Sequence, residues 1–169
     1  MTATAINNTG VVSPISRIAQ GTDYTQRIGN SIKMQRIEVR CRIFQNPTAT
    51  QTVVRCSLVR DLDGAGTIPT TSDIFENVGG ISAPLTQFDF LNRKRFSVLY
   101  DELITLDVGQ GTTQCFTLDL PHEGHVLYLG STAAAASDGK GSLYLCFLSD
   151  EATNTPTCAF STRIVFTDD

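Results

Sequence analysis

At 169 residues with 41% hydrophobic side chains, the chain has the length of one β-sandwich or barrel and enough apolar matter for one core. Only 18% of residues are charged and the net charge is −4, while Thr, Ser and Asn carry much of the polarity. That composition belongs to β-rich shells and extracellular modules more than to helical enzymes. The N-terminus has no basic stretch leading into an apolar one, and nowhere do about 18 apolar residues follow one another, so neither secretion nor membrane spanning is expected.

Residues 1–17 are small and polar with no period, and are expected to form a flexible arm ahead of a single domain over 18–169. The stretch from Ile18 to Phe44 then passes from irregular and polar into the longest period-two run of the chain. Arg36, Glu38, Arg40 and Arg42 alternate with Ile37, Val39, Cys41 and Ile43, as one face in a core and one outside requires. Ahead of that run the phase is opposite, with Ile32 and Met34 apolar. A β-bulge near Gln35 and Arg36 is therefore predicted, so that one face stays buried throughout.

Gln45–Gln51 reads as a turn and Thr52–Arg60 as a second strand, expected to pair antiparallel with the first. In the long connection that follows, Thr71–Val78 suits two turns of helix capped by Ser72 or Thr71, the one helix predicted. Further strands are expected at Leu85–Phe90, Arg95–Leu106, Thr112–Leu120, His125–Gly130, Ser142–Ser149 and Thr157–Thr167, about eight in all. With uneven connections and no βαβ alternation, the chain is all-β, a two-sheet antiparallel sandwich. An eight-stranded jelly roll with one short helix in a loop is the expected form. Periodicity alone leaves an immunoglobulin-like sandwich open, although that fold often has a core Trp and this chain has none.

Cys41, Cys56, Cys115, Cys146 and Cys158 are odd in number and mostly inside strand-like runs, so they read as free thiols acting as small hydrophobes in a reducing compartment. Catalysis finds little to build on. His122, Glu123 and His125 stand in PHEGH, three apart after Pro121 in an expected turn, where a zinc hydrolase needs two His four apart on a helix. Asp101 and Glu102 are adjacent on a strand and point to opposite faces. No nucleophile elbow or phosphate loop is present, so no enzyme is expected.

Three ordered segments carry a resemblance: Gln20, Gly21, Asp23, Gln26, Arg27 and Gly29; then Arg60 and Asp61; then Lys94, Arg95, Phe96, Leu99 and Asp101, with VFTDD at the end. Over about residues 17–169 the chain resembles the small single-jelly-roll capsid proteins of satellite tobacco necrosis virus and of small circular single-stranded DNA viruses. The resemblance implies a coat protein that self-assembles as a homo-oligomer of about 60 copies into a small icosahedral T=1 shell. It further implies packaged nucleic acid, assembly inside the host cell and a place in the virion. The alternative is a non-viral jelly-roll binding module, a trimeric ligand or carbohydrate-binding domain built on exposed aromatics. Tyr24, Tyr100 and Tyr128 are too scattered for such a platform.

Capsids of this kind carry a basic N-terminal arm, yet the first 16 residues here contain no Lys or Arg. Eight of the thirteen cations lie instead within residues 17–60. Arg36, Arg40 and Arg42, with Arg55 beside them on the second strand, are the candidate nucleic-acid-facing surface. The alternative is a solvated strand face balanced by Glu38, Asp61 and Asp63. Arg93, Lys94 and Arg95 form the one tight basic cluster, a candidate subunit contact as readily as a nucleic-acid contact. The resemblance also implies calcium between subunits, with the Asp168 carboxylate and the carbonyls of Ile28 and Ser31 as ligands; a second acidic ligand position is Thr22 here. Asp61, Asp63 and Gly64 look like the start of a calcium loop but lack its later ligands, and read as an ordinary turn.

Overall fold

The computed structural model describes residues 3–109 and 111–168. In chain order its strands are β1 (Ala3–Ala5), β2 (Val11–Pro14), β3 (Ser31–Phe44), β4 (Gln51–Asp61), β5 (Phe96–Asp107), β6 (Thr113–Leu127), β7 (Leu143–Ser149) and β8 (Thr157–Asp168), with one helix, α1 (Thr71–Ile74), before β5. They form two antiparallel four-stranded sheets, β1-β8-β3-β6 and β2-β7-β4-β5. The pairs β1·β8, β2·β7, β3·β6 and β4·β5 nest as one long hairpin bent across two sheets. That is the jelly-roll wrapping. No helix among the described residues is long and apolar enough to cross a membrane.

β3 runs down the middle of its sheet, between β6 and β8, and its register with both slips between Met34 and Arg36. The bulge is where the change of phase predicts it. Gln35 absorbs the extra residue, and Ile32, Met34, Ile37, Val39, Cys41 and Ile43 all stay buried. The main core lies between the sheets and joins these residues to Val54, Cys56 and Leu58 of β4 and to Leu143, Leu145 and Phe147 of β7. A second apolar layer covers the outer face of the β4 sheet, where Val59, Tyr144, Cys146 and Leu148 pack under Ile74, Phe75 and Ala83.

Several expectations change. β3 and β4 do not pair; they lie in different sheets. β4 is buried on both faces from Val54 to Val59, a position inside layers rather than beside a half-exposed strand. The first seventeen residues contribute two edge strands in place of a loose arm, with Ile6 and Ile15 buried; residues 1 and 2 lie outside the described set. Leu85–Phe90 is not a strand: Ala83–Leu85 makes a 3₁₀ turn and Phe88 forms a lone bridge with Phe75. Lastly, Thr112–Leu120 and His125–Gly130 merge into the continuous β6, so PHEGH is strand and not turn. β6 is the last strand of its sheet and Pro121 lies opposite the bulge in β3, two settings that tolerate a missing amide hydrogen.

The expected helix shrinks to one turn. Thr70, not Ser72 or Thr71, precedes it, and its N–H and hydroxyl both donate to the Asp73 carboxylate, each at 2.7 Å.

The irregular ends of the sandwich are pinned by arginines. Arg27 is fully buried. Its Nε donates to the Ile18 carbonyl at 3.0 Å, its terminal nitrogens donate to the carbonyls of Gly29 and Gly130, and the guanidinium lies 4.0 Å over the Tyr128 ring. Arg17 forks onto the buried Asp138, which also accepts from the Tyr144 hydroxyl at 3.0 Å. Burial pushes both the Tyr128 and Tyr144 phenols well up, so they stay neutral donors. Arg95 forks onto the fully buried Asp61, whose Oδ1 also accepts from the N–H groups of Asp63 and Gly64. The DLDG stretch is thus the ordinary turn that was expected, closed by an arginine.

Where β6 passes the end of β4, Arg60 Nη2 donates to the His125 carbonyl at 2.9 Å. A Cβ at Gly124 would meet His122 Nε2 at 2.7 Å and Arg60 Cζ at 3.0 Å, so glycine lets the two side chains approach the strand. Burial, then the nearby Arg60 charge, lowers the half-buried His122 imidazole below its usual range.

Two outcomes are expected for the isolated chain. Arg27→Met keeps the stem but leaves buried carbonyls without donors, and should lower stability by about 3 kcal/mol in urea unfolding. Because the folded state holds His122 neutral, the unfolded state binds more protons at acid pH. The His122 contribution is present above about pH 6.5 and is lost as pH falls through the lowered folded value. The urea midpoint should therefore fall from pH 7.5 to 5 less in His122→Gln than in the parent; equal slopes would refute this.

Candidate nucleic-acid and assembly surfaces

On the outer face of the β1-β8-β3-β6 sheet, alternation along β3 brings out Lys33, Arg36, Glu38, Arg40 and Arg42. Asp119 of β6 and Arg163 of β8 flank Glu38 in register. Arg36 forks onto Asp119, with Nε to Oδ1 at 2.7 Å, and Arg40 Nε donates to Glu38 at 2.7 Å. The hydrogen bond and charge of Asp119 raise the Arg36 guanidinium, and the same bond lowers the Asp119 carboxyl. Lys33 lies 3.9 Å from Glu123, and Arg42 stacks 4.2 Å over the Phe44 ring. Five cations on this face thus meet three carboxylates, an excess of two. The face is a patterned surface with a modest positive balance.

Arg55 is not part of it. It lies on the other sheet, 8% exposed, with Nε and Nη2 each 2.7 Å from Asp101. Its guanidinium carbon lies 4.9 Å from the centre of the Phe75 ring and 4.7 Å from that of Phe88, and Nη1 donates to the Thr86 carbonyl. Burial works to raise the Asp101 carboxyl, but hydrogen bonds from Arg55 and Ser57 outweigh it and hold it low. Neighbouring strands were expected to bring Arg55 beside Arg40; the crossing between sheets instead turns it under the α1–β5 connection.

The basic cluster divides as well. Arg93 stacks 3.8 Å over the Phe90 ring and Lys94 is exposed, whereas Arg95 turns inward to Asp61. Only the first two are placed to meet another molecule.

Asp168, Ile28 and Ser31 do come to one end of the sheet. Asp168 stands opposite Ile32 in the ladder, and the Ile28 N–H donates to its Oδ1 at 3.0 Å. The Ile28 carbonyl accepts from Gln20 Nε2 at 2.5 Å. Beside them runs an open groove of about 880 Å³, lined by Arg17, Thr22, Tyr24, Ile28, Arg163 and Asp168 among others. Calcium takes about six to eight oxygens. One carboxylate and two carbonyls from one chain fall short of that, and among the described residues no three His, Cys, Asp or Glu gather around one point. On one chain the donor set is incomplete.

His122 is half-buried beside Arg60 while Glu123 and His125 are exposed, so the three side chains do not converge. Sequence reasoning missed Asp119 and Asp138, the partners of Arg36 and Arg17. Those partners lie 83 and 121 residues away, and no local pattern marks them.

A family model described as the satellite tobacco necrosis virus coat protein matches residues 1–169. The capsid protein of Satellite tobacco necrosis virus 1 is 30% identical over 146 residues, covering 83% of this chain and 70% of that protein. The coat protein of Satellite tobacco necrosis virus 2 is 27% identical over 146 residues, covering 85% and 70%. With the jelly-roll order of its strands and a match over its full length, the chain belongs to the satellite tobacco necrosis virus coat protein family.

Proposed function

We propose that this structural coat protein closes a shell of about 60 identical copies around nucleic acid, the outer face of the β1-β8-β3-β6 sheet turned toward the phosphates. The observation that carries the orientation is the cation excess on that face, where Arg40 and Arg42 project from the middle strand. The reading places assembly inside the host cell and the product in the virion. Binding through scattered arginines is sequence-independent and weakens steeply with salt. Calcium belongs to the same proposal: Asp168 and the carbonyls of Ile28 and Ser31 supply part of a ligand set that neighbouring copies complete. Bound there, the ion would offset carboxylate repulsion between copies.

Size-exclusion chromatography with light scattering tests the shell. A particle near about 1.1 MDa, 60 copies of 18.3 kDa, is expected. A mass fixed at monomer or trimer across salt and calcium would reject the shell in favour of a binding module. For the nucleic-acid face, Arg40→Glu with Arg42→Glu should lower the ratio of absorbance at 260 nm to that at 280 nm in purified particles about twofold or more while the protein mass per particle holds. For calcium, chelation should lower the melting temperature of parent particles and leave that of Asp168→Asn particles unchanged; equal shifts would remove Asp168 from the site.

A further inference from the structure

Between α1 and β5 the chain crosses the outer face of the β4 sheet, and its side chains divide sharply. Phe75 and Ala83 are 1% exposed, yet Ile81 is 81%, Leu85 64%, Phe90 60% and Leu91 88% exposed. Scattered apolar side chains on a surface need no explanation, but four large ones within eleven residues mark a contact surface.

The segment that carries them is fixed. Arg55 donates to the Thr86 carbonyl and stacks on Phe88, which itself stacks on Phe75 at 5.1 Å. The Glu76 N–H donates to the Gln87 carbonyl at 2.9 Å, the Asp89 N–H to the Ile74 carbonyl at 2.8 Å, and Asn92 Nδ2 to the Asp73 carbonyl at 3.0 Å. Ile81, Leu85, Phe90 and Leu91 are therefore presented on a braced ledge, which reduces the ordering that binding would require. Arg93, lying on the Phe90 ring, and exposed Lys94 form a cationic margin. An apolar centre with a polar margin is the anatomy of a protein–protein contact.

We propose that residues 81–94 are a seat for a second copy of this chain, with Ile81, Leu85, Phe90 and Leu91 as its apolar centre. The proposal rests on the coat-protein reading. Charge complementarity is available to that occupant, because each copy exposes carboxylates, Glu76, Glu102 and Glu123 among them, that a margin of Arg93 and Lys94 can meet. Nucleic acid fits poorly, because the aliphatic Ile81, Leu85 and Leu91 offer bases no ring to stack on and phosphates no donor.

The test is the double variant Ile81→Ser with Leu91→Ser, which adds no charge and changes side chains that are almost wholly in solvent. Sedimentation velocity over a concentration series reads assembly, and circular dichroism melting of the dissociated chain reads the fold. The concentration needed for assembly should rise at least tenfold while the melting temperature of the dissociated chain holds. Variant shells forming at the parent concentration would overturn the seat and leave the coat-protein reading intact. A parent chain that never assembles would overturn the shell, and the seat with it.

Discussion

A fully buried guanidinium with no carboxylate partner among the described residues governs the N-terminal third of this protein. Arg27 is fully buried, and its partners are main-chain carbonyls, the Asn30 side-chain oxygen at 3.3 Å and the face of Tyr128. Those carbonyls belong to residues 18 and 29 of the irregular segment before β3 and to residue 130 just after β6, places where no ladder satisfies them. Five donors in a rigid plane suit that task, and a lysine's single ammonium could not span it. The segment in turn places Ile28 against Asp168, so the geometry at that end of the sheet follows from one buried cation.

The same economy holds elsewhere. Arg17 and Arg95 each tie an irregular stretch to a distant carboxylate, and Arg55 of β4, paired with Asp101 of β5, holds the Thr86 carbonyl of the connection above it. Cations concentrated in the first 60 residues suggest a polyanion-binding surface, yet much of that charge is structural. What remains outward on β3 is partly answered by Glu38 and Asp119, so the positive balance of this face is small per copy.

Legibility in the sequence followed how local each determinant was. The course of β3 and its bulge were readable because the phase of alternation changes within a few residues, and the core face of the strand came with them. β1 and β2 were not, since strands of three and four residues take their order from β8 and β7. Pro121 misled for a physical reason: proline signals a turn unless the strand is an edge and its partner bulges there. Losing Leu85–Phe90 and merging two runs into β6 offset the gain of β1 and β2, which is why a count of eight survived a different assignment. At the end of the sheet Asp168 meets the Ile28 N–H rather than its carbonyl, and the place of Arg55 depended on which sheet β4 joins, a choice no alternation encodes.

The proline in β6 has a consequence for the assembled state. A sheet that ends in a strand of fifteen residues offers main-chain groups to any passing strand, and a protein accumulating to the density of a shell meets its own copies constantly. Joining sheet to sheet would grow a fibre, which has no stopping size. Pro121 has no amide hydrogen to give, and the bend opposite the bulge spoils a straight template. Growth is thereby left to contacts whose angles can close on themselves, and a container is favoured over a filament.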